Sequence, residues 1–236
     1  MAGYKTMTQS GILYGVGVGP GDPELMTVKA WRLISMAKVI VYLTANGTES
    51  TARAIAAPFI PEDAIEFIID MPMRVERQPA QTAYDKGAEL IATHLNKGED
   101  VVMLCEGDPF FYGSFMFIFE RLSEKFKTVV VPGVTSVSAS TAVMGAPLVE
   151  RDEILKILPA TMDETRLHEE LSTAHSAAII KVGRHFGKVK RVLSTLGIEN
   201  CATAVERATH DDQSIRKVSD ITGDALPYFT TIIVRT

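Results

Sequence analysis

The stretch VVMLCEGDPFFYGS, residues 101–114, decides the fold: an apolar run stops at a Glu-Gly-Asp-Pro turn, and aromatics then lead into Gly113-Ser114 at the start of a helix. A buried strand ending at a glycine-softened turn exposes backbone N–H and C=O groups where a small molecule can reach them. Pro109 has a fixed φ and no N–H to donate, so it ends the strand and holds Asp108 in the turn. On its own the segment marks a loop. Its weight as a ligand site comes from two companions, a glycine-rich start and a PGVTS segment.

Outward from this strand the chain alternates β and α signals. Residues 11–18 read as a strand running into glycines, and 24–37 as a helix, with Leu25, Val28, Ala30, Leu33 and Ala37 on one stripe. A short buried strand at 39–43 precedes a small-residue helix at 50–57 that stops before Pro58, and a third strand spans 65–69. From 79 to 96, Ala80, Ala83, Tyr84, Gly87, Ala88, Ile91 and Leu95 recur at three and four, with Gly98 just past the end. Strands at 101–104 and 128–131 complete a βαβ series, which implies a parallel sheet with helices on its faces.

Past residue 147 strands are expected at 154–158, 177–182, 202–206 and 230–234, helices at 163–171 and 187–196, and an antiparallel edge at 213–218. The expected fold is thus α/β in two domains: a parallel-sheet N-terminal domain, 1–147, and a smaller mixed-sheet C-terminal domain, 148–236. The short linker near 145–149 should keep them close, with the active site in the cleft between.

A chain of 236 residues can bury one large or two modest cores. With 24 Lys and Arg against 29 Asp and Glu its net charge is −5, which argues against generic nucleic-acid affinity. No apolar run approaches the roughly 18–20 residues that span a bilayer, so no membrane partner is expected. The first residues, MAGYKTMTQSG, lack the apolar core of a signal peptide. Cys105 and Cys201 show no paired spacing and read as buried free thiols, so a cytoplasmic location is expected.

GVGVGPGD, residues 15–22, suggests a dinucleotide fingerprint and fails it. Counted from Gly15 or Gly17 the sixth position is Pro20 or Asp22, and the second strand ends Tyr42-Leu43-Thr44, without the ribose-binding acid. No Gly-Lys-Ser/Thr follows, which excludes a P-loop. VVVPGVTSVSAS, residues 129–140, is a strand, a Pro-Gly turn and a helix start. Each motif also has a purely structural reading: the glycines as a tight crossover, and Thr135 or Ser136 as a helix cap. Together, at the ends of three strands of one sheet, they outline a crevice for a small organic cofactor.

In this order, GVGVGPGDPELMTVKA, LCEGDPFFYGS and VPGVTSVSAS resemble the tetrapyrrole methylase family, and the likeness runs from about residue 11 to 234. The strings YLTANGTESTARAIA, PLVERDEILKILPAT, IIKVGRHFGKVKRVL, VERAT and PYFTTIIV are most similar to the branch that methylates C20 of precorrin-2 or cobalt-factor II in cobalamin synthesis. The resemblance implies a homodimeric C-methyltransferase that binds S-adenosylmethionine between two α/β domains and releases S-adenosylhomocysteine. Carried over by motif, Pro20 borders the cofactor, Gly107, Asp108 and Phe111 line one side, and Thr135 and Ser136 approach the methionine part. Val182, Ala208 and Thr230 surround the adenine. The chain departs from many relatives at Leu43-Thr44, where they carry an acid after Tyr, and that difference reads as substrate-related.

A polycarboxylate macrocycle calls for arginines. Arg74, Arg151 and Arg184 are the candidates, with Tyr112 as a further contact; solvated loop charge and plain packing are the alternatives. No Ser-His-Asp set, Cys-His pair or paired carboxylate stands out as catalytic, since Asp152 and Glu153 would point apart on a strand. His94 and His175 read as surface residues, and Phe115, Phe117 and Phe119 as core or dimer contacts. No His/Cys spacing suggests a protein-bound metal, so any cobalt would belong to the substrate. The rivals are a relative acting at another ring position, a diphthamide methylase of the same fold, and a non-catalytic tetrapyrrole or nucleotide sensor.

Overall fold

The structure is a computed structural model and describes residues 10–72 and 77–236. It divides into two compact units, Met1–Thr135 and Ser136–Thr236, each described by itself.

The first unit carries strands β1 (Leu13–Gly17), β2 (Val39–Ala45), β3 (Ile65–Met71), β4 (Val101–Cys105) and β5 (Thr128–Val131). They form one parallel sheet in the order β3-β2-β4-β1-β5. Helices α1 (Val28–Ser35) and α2 (Thr51–Ala56) cover one face, where Ala30, Ile34, Ala52 and Ile55 pack with Ile40, Val102 and Leu104. Helices α3 (Arg77–Leu95) and α4 (Phe115–Leu122) cover the other, where Tyr84, Ile91, Phe115 and Ile118 meet Val39, Val41, Val101 and Met103. β4 is buried on both faces, which is why its sequence is a continuous apolar run.

The helix expected over 24–37 is instead two pieces. Pro23 starts a 3-10 turn, Pro23–Leu25, capped by Asp22, and Thr27 then caps α1 through the Ala30 N–H at 3.2 Å. Two side chains also depart from expectation. His94 is buried, bonded to Glu99 at 2.5 Å and tilted against the Phe67 ring. Cys201 is exposed, whereas Cys105 is a buried free thiol.

The second unit opens with α5 (Ser136–Met144), whose Ala139 packs against Val205 and Ala208. The helix after the Pro-Gly turn therefore groups with this unit, ahead of the 147/148 boundary expected from the sequence. Its strands are β6 (Leu155–Pro159), β7 (Ser176–Ile180), β8 (Ala202–Glu206), β9 (Ser214–Lys217) and β10 (Thr230–Arg235), in the order β6-β7-β10-β8-β9. β6 and β7 are parallel, β10 runs antiparallel to β7 and β8, and β9 is an antiparallel edge. α6 (Glu164–Ser172) and α7 (Phe186–Thr195) pack Leu167, Leu171, Phe186 and Val189 onto Ile179 and Ile232. Asp152 and Glu153 lie in a turn rather than on a strand, and Glu153 pairs with Arg235 at 3.2 Å.

Candidate functional site

In the first unit the three motifs meet at the C-terminal edge of the sheet. Register places Gly17 beside Cys105 and Val16 beside Val131, so the loops leaving β1, β4 and β5 emerge together. Their glycines touch backbone to backbone. A Cβ on Gly133 would stand 2.0 Å from the Gly107 carbonyl oxygen, and one on Gly17 would stand 2.5 Å from the same atom. Gly107 itself adopts φ +61°, open to glycine and costly for most other residues. Gly19 and Gly107 exchange hydrogen bonds, the Gly107 N–H donating to the Gly19 carbonyl at 2.8 Å.

Asp108 locks this arrangement. Its Oδ1 accepts the Phe110 and Phe111 N–H groups at 2.9 and 3.0 Å, and its Oδ2 accepts the Gly133 N–H at 3.0 Å. The carboxylate thus shapes its own turn and ties it to the Pro-Gly turn after β5. Phe111 and Pro20 are half-buried beside it, and Tyr112 is 41% exposed with φ +56°. Thr135, half-buried, ends the unit.

Sequence reasoning missed Glu106, the residue between the buried β4 and Gly107. Its Oε1 accepts the Ala52 N–H in the first turn of α2 at 3.3 Å, and burial pushes its carboxyl pKa up. The thiol of Cys105 is pushed far up, first by burial and then by the charges of Glu106 and Asp108, which leaves it no thiolate character. Also missed was Asp70 on β3, in register with Thr44 on β2. Its Oδ1 accepts from the Thr44 hydroxyl at 2.9 Å and the Gly47 N–H at 2.8 Å. An acid therefore does stand beside the end of β2, supplied by the neighbouring strand.

In the second unit Ser136, exposed at the start of α5, accepts from the Thr231 hydroxyl at 3.3 Å. Val182, Ala208 and Thr230 share one edge of the second sheet: β7 and β8 end there and β10 begins. All three side chains are buried, and Thr230 donates its hydroxyl to the Pro227 carbonyl at 2.8 Å. Lys181, Arg207 and Thr209 beside them have positive φ, so this edge presents bent backbone. Arg151 and Arg184 are exposed, and among the described residues neither has a hydrogen-bonded or ion-pair partner; Arg151 also has φ +48°. Burial and the nearby Lys188 and Arg184 charges lower the His185 pKa. Arg74 lies outside the described residues.

The family described as Tetrapyrrole (Corrin/Porphyrin) Methylases matches residues 12–221. The chain is 41% identical over 232 residues to "Cobalamin biosynthesis protein CobIJ" of Mycobacterium tuberculosis, with 95% of this chain and 46% of that protein covered. It therefore spans about half of that relative's length. It is 37% identical to "Precorrin-2 C(20)-methyltransferase" of a Sinorhizobium species, with 95% of both covered. Among solved structures, a cobalt precorrin-4 methyltransferase, CbiF, aligns with a TM-score of 0.74 at 24% identity over 95% of this chain and 94% of that one. Uroporphyrin-III C-methyl transferase from Thermus thermophilus, complexed with S-adenosyl homocysteine, aligns at 0.67 and 21% over 95% and 97%. At these identities the structural likeness shows the fold.

Proposed function

The chain belongs to the tetrapyrrole methylase family, and from that premise we propose that it transfers a methyl group from S-adenosylmethionine to C20 of precorrin-2 or its cobalt-bearing counterpart, in cobalamin synthesis. The observation that carries this reading is the end-to-end likeness to a precorrin-2 C20-methyltransferase, over 95% of each chain. The glycine contacts fit such a donor, because they leave backbone edges rather than side chains facing a ligand across the ends of β1, β4 and β5.

S-adenosylmethionine supplies an electrophilic methyl on a sulfonium. The chain's part is to hold a nucleophilic carbon, the methyl and the sulfur in line. Pro20, Gly107, Asp108, Phe111 and Thr135 are the contacts assigned in the first unit, with Asp108 fixing the loops rather than reacting. Ser136, Val182, Ala208 and Thr230 are those assigned in the second, the buried ones acting through main-chain atoms. Arg151 and Arg184, unpaired among the described residues, are assigned to substrate carboxylates, and Arg74 and Tyr112 are assigned to the same substrate. The reading includes a homodimer in the cytoplasm, the dimer to be checked by light scattering. Among the described residues no helix is long and apolar enough to cross a membrane.

The test is incubation with methyl-labelled S-adenosylmethionine and precorrin-2, with and without cobalt, and location of the label by NMR. Label at C20 is expected. Donor binding with label at another carbon would overturn the C20 assignment.

A further inference from the structure

Methyl transfer to a ring carbon that bears hydrogen leaves a proton to be removed, and no residue above has been given that task. We propose that Glu106 is the proton acceptor of the reaction, an inference that rests on the methyltransferase reading.

β2 and β4 are neighbours in the first sheet, yet α2 packs with Tyr42 and Leu104 on one face while α4 packs with Met103 on the other. Chains leaving adjacent parallel strands in opposite directions open a crevice at the carboxyl ends, the place where such sheets bind ligands. Glu106 stands in that opening, one residue past β4 and one before the Gly107 that bridges to Gly19. It is half-buried: surrounded by protein, but still reachable.

The other carboxylates at this edge are committed. Asp108 holds three backbone N–H groups, Asp22 caps a 3-10 turn, and Asp70 holds Thr44 and Gly47. Glu106 has one donor from another element, the Ala52 N–H at 3.3 Å. Cys105, the residue before it on the same strand end, feels the charges of both Glu106 and Asp108. On the α2 side, Arg53 is bound through two nitrogens to Glu66 and offers no counter-charge. Burial, with no cationic partner among the described residues, raises the carboxyl pKa, the direction of tuning that suits a general base.

The ring carbon attacks the methyl, a C–C bond forms, and the C–S bond breaks with its electron pair going to sulfur as S-adenosylhomocysteine leaves. The C–H bond at the methylated carbon then breaks. Its electrons return to the ring system, and the proton passes to the Glu106 carboxylate.

Glu106→Gln retains an acceptor for the Ala52 N–H and removes the basicity. With precorrin-2 deuterated at C20, this variant should form S-adenosylhomocysteine in a single turnover yet release deuterium about 100-fold more slowly or worse. Its affinity for S-adenosylhomocysteine should be unchanged. In the ligand-free protein, infrared difference spectra should show a carboxylic-acid band titrating above the ordinary glutamate range, absent in the variant. A variant within about threefold of the parent in deuterium release would overturn the proposal, as would absence of the band. If the parent itself binds donor but methylates no carbon, the methyltransferase reading falls and the proposal with it; methyl transfer by the parent with unimpaired deuterium release in the variant sinks the proposal alone. Glu106→Ala adds the loss of the Ala52 tie, and its folding does not bear on the outcome.

Discussion

Replacing Asp108 by Asn separates the two jobs of its carboxylate. The amide oxygen can still accept from Phe110 and Phe111, now at 2.9 and 3.0 Å, but the amide nitrogen turns a donor toward the Gly133 N–H, now 3.0 Å from Oδ2. One charge-assisted bond is lost and a part-buried donor is left without its acceptor, at a cost of about 1.5–3 kcal/mol. Asp108→Ala removes all three bonds. The Phe110 N–H is exposed and recovers water, so the two part-buried donors set the cost, about 3–5 kcal/mol. Urea unfolding of the three proteins measures both figures, and amide exchange at Gly133 reports the tie directly. The same slack should reach the ligand: calorimetric titration with S-adenosylhomocysteine should show about a tenfold loss of affinity for the Asn variant, the equivalent of 1.4 kcal/mol. An Asn variant with the parent's unfolding midpoint and unchanged Gly133 protection would refute the claim that this carboxylate joins the two loops.

Gly133→Ala puts a methyl 2.0 Å from the Gly107 carbonyl oxygen, where only backbone can give way. We expect a loss of about 3 kcal/mol or more on urea unfolding, and no calorimetric heat with S-adenosylhomocysteine. Arg184→Met and Arg151→Met are at exposed positions and should leave stability within about 0.5 kcal/mol of the parent. Steady-state kinetics should show each raising KM for the tetrapyrrole while the affinity for S-adenosylhomocysteine stays put. Glu106 predicts a pH dependence of stability. Its carboxyl is raised by burial, so the folded chain holds that proton more tightly than the unfolded one. The contribution is complete below the unfolded value and is lost as pH rises through the folded value. Urea midpoints from about pH 4 to 8 should therefore fall in the parent relative to Glu106→Gln, which cannot ionise.

The elements that were legible in the sequence are those whose pattern is local. β5 and β8 match the expected 128–131 and 202–206 residue for residue, and the edge at 213–218 is the antiparallel β9. Glycine runs and β-branched stretches report local backbone needs and burial on both faces, which one segment reveals by itself. The misreadings came where a distant partner decides. His94 lies on what periodicity treats as an outer flank of α3, yet Phe67 of β3 and Glu99 cover it. The helix over 24–37 broke because Thr27 caps more effectively than the apolar stripe propagates, a competition that the stripe alone does not register. Glu106 and Asp70 were missed because their partners lie 54 residues away at Ala52 and 26 away at Thr44. Strand order must be known before either pairing exists.

That contrast bears on how the site divides its labour. Where three loops meet, a side chain at Gly17 or Gly133 would collide with main chain and Gly107 needs a φ of +61°, so the sequence there is constrained by backbone alone. A ligand read by such an edge meets N–H and C=O groups, which do not depend on residue identity, and the motifs can be recognised in a single chain. At the end of β2 the chemistry rests instead on side chains drawn from neighbouring strands: Thr44 with Asp70 of β3 on one side, and Glu106 after β4 holding α2 on the other. An acid can move from β2 to the facing position on β3 and still serve the same space, because register puts the two residues side by side. Asp70 thus supplies an acid beside the Leu43-Thr44 end of β2. Asp70→Asn should therefore disturb handling of the tetrapyrrole while leaving the S-adenosylhomocysteine affinity set by the three glycine loops intact. A parallel loss of both in titrations with each ligand would show that the two halves of this edge are not separable.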